Sequence, residues 1–225
     1  AVVDLQRKPI LLRSSSGPEN TIINGQGVRV GISAITSIGG SATIRGFTIR
    51  NCSGIEVENS EGGFDSFGGG MSIINTSPII ADCIFRNNSA SYGGGIHCAS
   101  VNDVVSRPTL QNCIFENNRA LRYGGGFRAH DSLPEFINCT FTGNYVTLAE
   151  QSGGGGGMQN VWSSIICTDC VFIQNRAPFG GGVFNVESNP RFTGCQFRYN
   201  VASGAEWDLT GGAMFNQGIE ANHQD

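Results

Sequence analysis

One short phrase recurs along the chain, and this repeat constrains the fold more than any other feature. In each copy a Cys is followed by Phe two residues later and by Asn three residues after that, and a glycine run then opens an apolar segment. Successive cysteines of these copies are 25 to 31 residues apart. A period in this range is typical of stacked supersecondary units, each of which contacts mainly its neighbours. The phrase defines a row of asparagines: Asn88, Asn118, Asn144, Asn175 and Asn200.

Each repeat predicts short strands rather than helices. Apolar residues recur at a spacing of two, as in Cys83 and Phe85, and a 3.6-residue period is absent. The residue before each of the six repeated cysteines is Asn, Asp or Gly, and these residues tolerate the left-handed backbone of a one-residue bend. Proline opens the strand before that bend in four copies, a position where it is tolerated. With the glycine-opened strand, this pattern predicts three short strands per coil.

Three short strands without a crossover helix can wind only into a coil that pairs in parallel with the next coil. Crossovers between parallel strands are right-handed. We therefore predict an all-β fold, a right-handed parallel β-helix of about seven coils of 25–31 residues. A single domain is expected over residues 1–225, with an N-terminal strand or cap region at 1–20 and coils at 21–225. We expect this domain to be part of a longer or self-stacking protein.

The cysteines are interpreted as packing residues. Their side chains at equivalent positions of neighbouring coils point the same way, which is poor geometry for a disulfide. A buried thiol instead behaves as a small hydrophobic group. Insertions are predicted around 101–106, 146–152 and 203–210, and insertions in a solenoid often form loops on a functional face. The predicted cysteine ladder is Cys52, Cys83, Cys113, Cys139, Cys170 and Cys195.

Composition argues against several classes of partner. The net charge is −4 and Lys8 is the only lysine, so a basic patch for nucleic acid is not expected. No apolar run has the length of a membrane-spanning helix. The calcium-binding nonapeptide and paired zinc motifs are absent, so no metal and no cofactor are expected.

The phrase Phe-x-x-Asn followed by Gly-Gly and an apolar residue (residues 85–96 and 172–183) resembles the repeat of the polymorphic outer-membrane protein family. More broadly, the chain is similar to the pectin-lyase-like right-handed β-helix superfamily, and the likeness covers nearly its whole length. The superfamily includes lyases, hydrolases, adhesins and phage tail spikes, so the resemblance implies a fold more than an activity. Its members are typically exported, which implies an extracellular or cell-surface location.

Catalytic residues are hard to find in this sequence. The aspartate motifs of the superfamily's hydrolases are absent, and a lyase would have to use arginines, for example Arg107, Arg128 or Arg191. One dense ionisable cluster could supply an acid–base pair, although surface decoration explains it as well. It consists of His97, Arg128, His130, Asp131 and Glu135.

Aromatic residues before the glycine runs form a second candidate. Phe67, Tyr92, Tyr123 and Phe179 occupy one repeat position and should stack about 4.8 Å apart. Inside the coil they would reinforce the core, which is the favoured interpretation, and outside they would offer a platform for sugars. Trp207, in an insertion, is the strongest candidate for an exposed contact.

These observations predict a non-enzymatic extracellular or cell-surface β-helix that serves as an adhesin, passenger or filament-forming module. A polysaccharide lyase-like enzyme is the alternative. The expected partners are further coils, a second copy stacked end to end, a polysaccharide or a host or cell surface.

Overall fold

The computed structural model describes residues 1–6, 8–35, 41–147, 153–204 and 211–218, and strands are its only regular elements. In chain order the strands are β1 (Val3–Asp4), β2 (Leu11–Arg13), β3 (Ile22–Asn24), β4 (Ile32–Ile35), β5 (Thr43–Arg45), β6 (Thr48–Arg50), β7 (Ile55–Glu58), β8 (Phe64–Phe67), β9 (Met71–Ile74), β10 (Ile79–Ala81), β11 (Ile84–Arg86), β12 (Ser89–Tyr92), β13 (Ile96–Ala99), β14 (Thr109–Gln111), β15 (Ile114–Glu116), β16 (Arg119–Tyr123), β17 (Phe127–His130), β18 (Glu135–Ile137), β19 (Thr140–Thr142), β20 (Tyr145–Val146), β21 (Met158–Val161), β22 (Ile166–Thr168), β23 (Val171–Ile173), β24 (Arg176–Ala177), β25 (Val183–Val186), β26 (Arg191–Thr193), β27 (Gln196–Arg198), β28 (Val201–Ala202) and β29 (Met214–Gln217).

Equivalent strands of successive coils pair in parallel and build four sheets. Sheet A has the order β1-β4-β9-β13-β17-β21-β25-β29, and sheet B the order β2-β5-β10-β14-β18-β22-β26. Sheet C contains β3-β6-β11-β15-β19-β23-β27, and sheet D contains β7-β8-β12-β16-β20-β24-β28, in which only β7 and β8 pair antiparallel. The predicted all-β parallel β-helix is confirmed.

Sheet D is the element that the prediction of three strands per coil missed. Its strands are short, and three of them, β20, β24 and β28, have only two residues. A two-residue strand carries no readable alternation of apolar and polar residues. From the second coil onward each coil therefore has four sides, and the extra side follows the asparagine position of the repeat.

The bends between the sheets use the left-handed backbone. Between sheets B and C, the bend residues include Asp82 and Asn112, with φ of 53° and 51°. Between sheets C and D, Asn87 and Asn117 both have φ of 54°. Asn and Asp visit this region more readily than other non-glycine residues. The first bend is the one predicted from the residue before each cysteine.

The interior is filled by rows of identical residues. The rings of Phe85, Phe115, Phe141, Phe172 and Phe197 stack along the coil axis, with centroid separations between 4.5 and 5.2 Å. All but Phe197 are fully buried. Because each ring packs against the ring above and below, the apolar interior is continuous from coil to coil.

Beside the rings runs an internal asparagine ladder. The Oδ1 atom of Asn144 accepts hydrogen bonds from the backbone N–H and from Nδ2 of Asn118, both at 3.0 Å. Its Nδ2 donates to the Phe115 carbonyl at 2.9 Å and to Asn175 Oδ1 at 3.0 Å. The pattern recurs from Asn88 to Asn200. Each buried amide thus supplies hydrogen-bond partners for backbone N–H and C=O groups at the bend, where strand pairing cannot supply them.

The cysteines also form a row, but Cys52 does not belong to it. Strand β6 pairs with β11 so that Ile49 lies beside Phe85, which places Phe47 at the head of the cysteine row and Cys52 at the head of the asparagine row. Cys52 accordingly donates its backbone N–H to Asn88 Oδ1. In the row itself, each thiol donates to the carbonyl two residues earlier, as Cys83 does to Ala81 at 3.2 Å. All eight cysteines are free.

The glycine runs have a steric explanation. Gly93 has φ of 66°, and a Cβ on Gly95 would lie 2.3 Å from the Gly126 carbonyl oxygen of the next coil. A side chain at Gly95 would therefore force neighbouring coils apart. The run lets sheet D turn into sheet A while the coils stay in contact.

Candidate functional site

The structure divides the predicted ionisable cluster between two surroundings. His97 and Arg128 lie side by side on neighbouring strands β13 and β17, and the guanidinium carbon of Arg128 lies 4.8 Å from the centre of the Tyr92 ring. The His97 ring contacts Phe67, with centroids 5.1 Å apart. These contacts hold both side chains against the aromatic row.

His97 is poorly placed for acid–base catalysis. It is only 4% exposed, and its Nδ1 atom has no hydrogen-bond partner. Burial, together with the nearby Arg128 charge, holds the pKa of His97 well below its usual range, so the ring is neutral near pH 7. Burial also lowers the pKa of Arg128, to about 10, which leaves it charged. A neutral, covered histidine packs against the aromatic rings and cannot reach a substrate.

His130 and Asp131 lie at the exposed end of strand β17. The His130 Nδ1 atom is 3.2 Å from the Asp131 carboxylate. Burial and the Arg128 charge lower the pKa of His130, and the Asp131 charge opposes this shift only in part. Glu135 is not in this group, because it begins strand β18 in sheet B, where it pairs with Thr109 and Ile166.

The predicted aromatic row lies outside the hydrophobic core, partly exposed. Tyr92 stacks on Phe67 at 5.0 Å and on Tyr123 at 6.0 Å, with ring planes within 18°. Stacked rings cover one another's faces, so a sugar would meet mainly ring edges along this row. The row is therefore better suited to holding coils together than to serving as a platform.

Gly154 interrupts this row between Tyr123 and Phe179. The Phe184 ring fills the gap, and a Cβ on Gly154 would lie 2.1 Å from it. Phe179 stacks instead on Phe215, with centroids 5.6 Å apart. Trp207 lies outside the described residues.

Trp162 is the surface residue that our sequence predictions missed. Its side chain is 52% exposed, and its indole N–H donates a hydrogen bond to the Glu187 carboxylate. The edge of the ring contacts His130, with centroids 5.2 Å apart at 72°. These two contacts fix an exposed aromatic ring at the corner where sheet A ends.

The backbone of Trp162 is strained. Its φ is 49°, a region that bulky residues seldom enter and that costs about 1–3 kcal/mol. Asp131 and Glu187 occupy the same position in the neighbouring coils, with φ of 49° and 46°. Asn75, at the equivalent position after strand β9, has φ of 55° and is a residue type that favours this conformation. A tryptophan at a position that favours Asn or Asp is the sequence signal that could have identified this site.

A groove of about 490 Å³ opens beside Trp162. Trp162 and Glu187 form part of its wall, and the rest carries amides, hydroxyls and one glycine. Two of the amides belong to an internal ladder in which Asn160 donates to Asn185, and Asn185 to Asn216, both at 2.7 Å. No lysine or arginine lines the described part of this groove, which we call the Trp162 groove. The amides that line it are Asn185, Asn189, Asn216 and Gln217.

The described residues contain neither a metal-binding cluster nor a membrane-spanning helix. Within the described ranges, no three His, Cys, Asp or Glu side chains cluster in a way that could hold a metal ion. The same part of the chain has no helix long and apolar enough to cross a membrane.

Comparison with known proteins agrees with this architecture. Residues 31–223 match the family described as right handed beta helix region. No curated protein and no solved structure matches the chain. The match covers most of the sequence, and the stacked parallel sheets have the form that the family's description requires. The chain belongs to the right-handed β-helix family.

Proposed function

We propose that this protein is a non-catalytic β-helix that acts outside the cell or at its surface and binds uncharged polysaccharide in the Trp162 groove. The observation that carries this proposal is an exposed, fixed tryptophan beside a wall of amides. A sugar ring has an apolar face of C–H bonds and a rim of hydroxyl groups. An aromatic ring matches the first, and amides, which donate and accept hydrogen bonds, match the second.

The preference for uncharged sugars follows from the charges at the groove. Glu187 is the only ionisable residue in its described lining, and a carboxylate repels acidic sugars. A lyase that acts on uronates needs a cation to neutralise the substrate carboxylate, and the described lining offers none. The geometry therefore favours binding over the lyase alternative.

Fluorescence tests the proposal directly, because Trp162 and Trp207 are the two tryptophans of the chain. In the Trp207→Phe variant, Trp162 is the single reporter. We expect its emission to change and saturate on titration with at least one soluble neutral polysaccharide among dextran, xyloglucan and galactomannan. Affinity electrophoresis in gels containing that polymer should then show about tenfold weaker binding for Trp162→Ala, a loss of about 1.4 kcal/mol.

Tyr199 supplies the matched control, since it is 78% exposed on another side of the coil. Tyr199→Ala removes a comparable exposed ring and should bind as the wild type does. Equal binding by the wild type and Trp162→Ala would contradict the proposal, as would an equal loss in both variants. Release of unsaturated products from uronate polymers would instead favour the lyase.

A further inference from the structure

The antiparallel hairpin at the start of sheet D offers a second surface for a partner. Strands β7 and β8 form it, and Asn59 orders the turn between them. The Asn59 Oδ1 atom accepts hydrogen bonds from the backbone N–H groups of Glu61, at 3.1 Å, and Gly63, at 2.9 Å. The hairpin therefore has a defined shape, although it departs from the parallel pairing of the coils.

One edge of the hairpin is fixed to the following coil. Strand β8 lies beside β12, where the backbone N–H of Ser66 donates to Ser91 Oγ at 3.0 Å and that of Ser91 donates to Ser66 Oγ at 2.8 Å. Asp65 also lies 3.4 Å from Arg122. Because these contacts hold β8, they also hold β7 in place at the outer edge.

The other edge of the hairpin has no strand beside it. β7 is the terminal strand of sheet D, and the preceding coil runs from β3 to β4 without a strand on this side. In the part of the chain that the structure describes, the backbone of Ile55–Glu58 bonds to other backbone groups only within the hairpin. Such an edge presents N–H and C=O groups with which an added strand can pair.

The side chains of β7 decide which kind of strand fits this edge. Residues two apart on a strand lie on the same face, so Glu56 and Glu58 share one face and Val57 lies on the other. Both glutamates are exposed, and Val57 is 51% exposed. The edge therefore presents two carboxylates on one face and an apolar group on the other.

A second copy of this chain is a poor occupant of the edge. Two copies of β7 paired with each other would bring the carboxylates of Glu56 and Glu58 together with their equivalents, and like charges across a strand pair are destabilising. Charged side chains protect natural edge strands from self-association in this way. The same carboxylates repel nucleic acid and anionic membranes, but they attract a strand of opposite charge.

We propose that β7 binds an extended segment of a partner protein in which basic residues alternate with apolar ones. The segment adds a strand to the hairpin through backbone hydrogen bonds. Its lysines or arginines lie beside Glu56 and Glu58, and its apolar side chains lie on the face of Val57. This surface is on sheet D, whereas the Trp162 groove lies where sheet A ends, so either proposal can fail without the other.

The experiment measures binding of a capped, dye-labelled peptide of alternating lysine and valine to the full chain by fluorescence anisotropy. We expect saturable binding at low salt, and about fivefold weaker binding by the Glu56→Gln/Glu58→Gln variant, which loses two opposite-charge pairs across the added strand. The Glu19→Gln/Asp103→Asn variant has the same change in net charge on exposed residues outside the hairpin. It should bind within about twofold of the wild type, because its charges act only at long range.

A second peptide tests whether the backbone is recognised. The same sequence methylated at every backbone nitrogen keeps its charges but cannot donate backbone hydrogen bonds, so it should bind at least about tenfold more weakly. Binding of the unmethylated peptide should also slow hydrogen exchange at the amides of residues 55–58 that face away from β8. A purely electrostatic contact would produce neither effect.

Four results would overturn the proposal. The first is the absence of saturable binding by the wild type, and the second is equal binding by the wild type and the Glu56→Gln/Glu58→Gln variant. The third is an equal loss in both double variants. The fourth is equal binding of the methylated and unmethylated peptides, which would mean that the acidic side chains attract cations without adding a strand.

Discussion

Replacing Asn144 by alanine should destabilise the protein more than any surface substitution of the same kind. The Asn144 side chain is fully buried and makes four hydrogen bonds. Its loss removes the acceptor of two donors on Asn118, the backbone N–H and one N–H of the side-chain amide, and Asn118 is itself fully buried. Each buried donor left unpaired costs about 1–3 kcal/mol, so the free energy of unfolding should fall by about 2–6 kcal/mol.

Asn112 offers a control with similar hydrogen bonds at the surface. Its amide donates to Asp82 at 3.0 Å and accepts from Asn138 at 2.9 Å, but it is exposed. Because its φ is 51°, glycine is the substitution that avoids backbone strain. Water replaces the lost partners, so Asn112→Gly should change the stability by only about 0.5 kcal/mol.

Urea unfolding followed by far-ultraviolet circular dichroism measures both variants against the wild type. The dependence of the unfolding free energy on urea concentration should be compared as well as the midpoint of the transition, because a solenoid weakened at its centre can unfold in two steps. A loss below about 1 kcal/mol for Asn144→Ala would refute the reasoning. So would equal losses in the two variants.

Three further predictions concern strain and ionisation. Trp162→Asn should be more stable than Trp162→Ala by about 1 kcal/mol in urea unfolding, because both lose the ring but only asparagine tolerates the positive φ. The free energy of unfolding should fall as the pH rises above about 9, since burial raises the pKa of Cys98 to about 12 and that of Cys83 to about 11 while unfolded thiols ionise near 9. When the free energy of unfolding is measured by urea titration at several values between pH 8 and about 10.5, it should fall less steeply with pH for Cys98→Ala than for the wild type. The same pH dependence in both proteins would contradict the prediction. Acidification below about pH 6.5 should also destabilise the protein, because the unfolded chain takes up a proton that buried His97 does not, and His97→Gln should weaken this dependence in the same titration.

The coil was predictable because the same residues recur at the same place. Phe85 and its equivalents mark an inward strand, and the bend before Cys83 was correctly assigned to Asn, Asp or Gly. The prediction was wrong for Cys52. In that coil Gly46 occupies the bend position and Phe47 the cysteine position, whereas Asn51 and Cys52 have the expected residue types but lie five residues further along the chain. At that point the strand register, and not the residue type, shows which residues occupy equivalent positions.

The candidate sites were less predictable, because a surface depends on which residues of different coils become neighbours. His97 and His130 are close in the repeat, yet one is covered by Phe67 and the other reaches the surface. Trp162 contacts Glu187 across neighbouring coils, although the two residues are 25 positions apart in the sequence.

The asparagine ladder has a consequence for how this molecule can change its length. Along this ladder each asparagine accepts hydrogen bonds from the coil before it and donates one to the coil after it, so a duplicated coil would continue the ladder with the same kinds of hydrogen bond. Copying one coil's length of sequence would extend the molecule by about 4.8 Å and add one junction, between the two copies, that the ladder can bridge. The distance between two surface sites on different coils can therefore change by the height of one coil at a time, while the residues of each site stay the same.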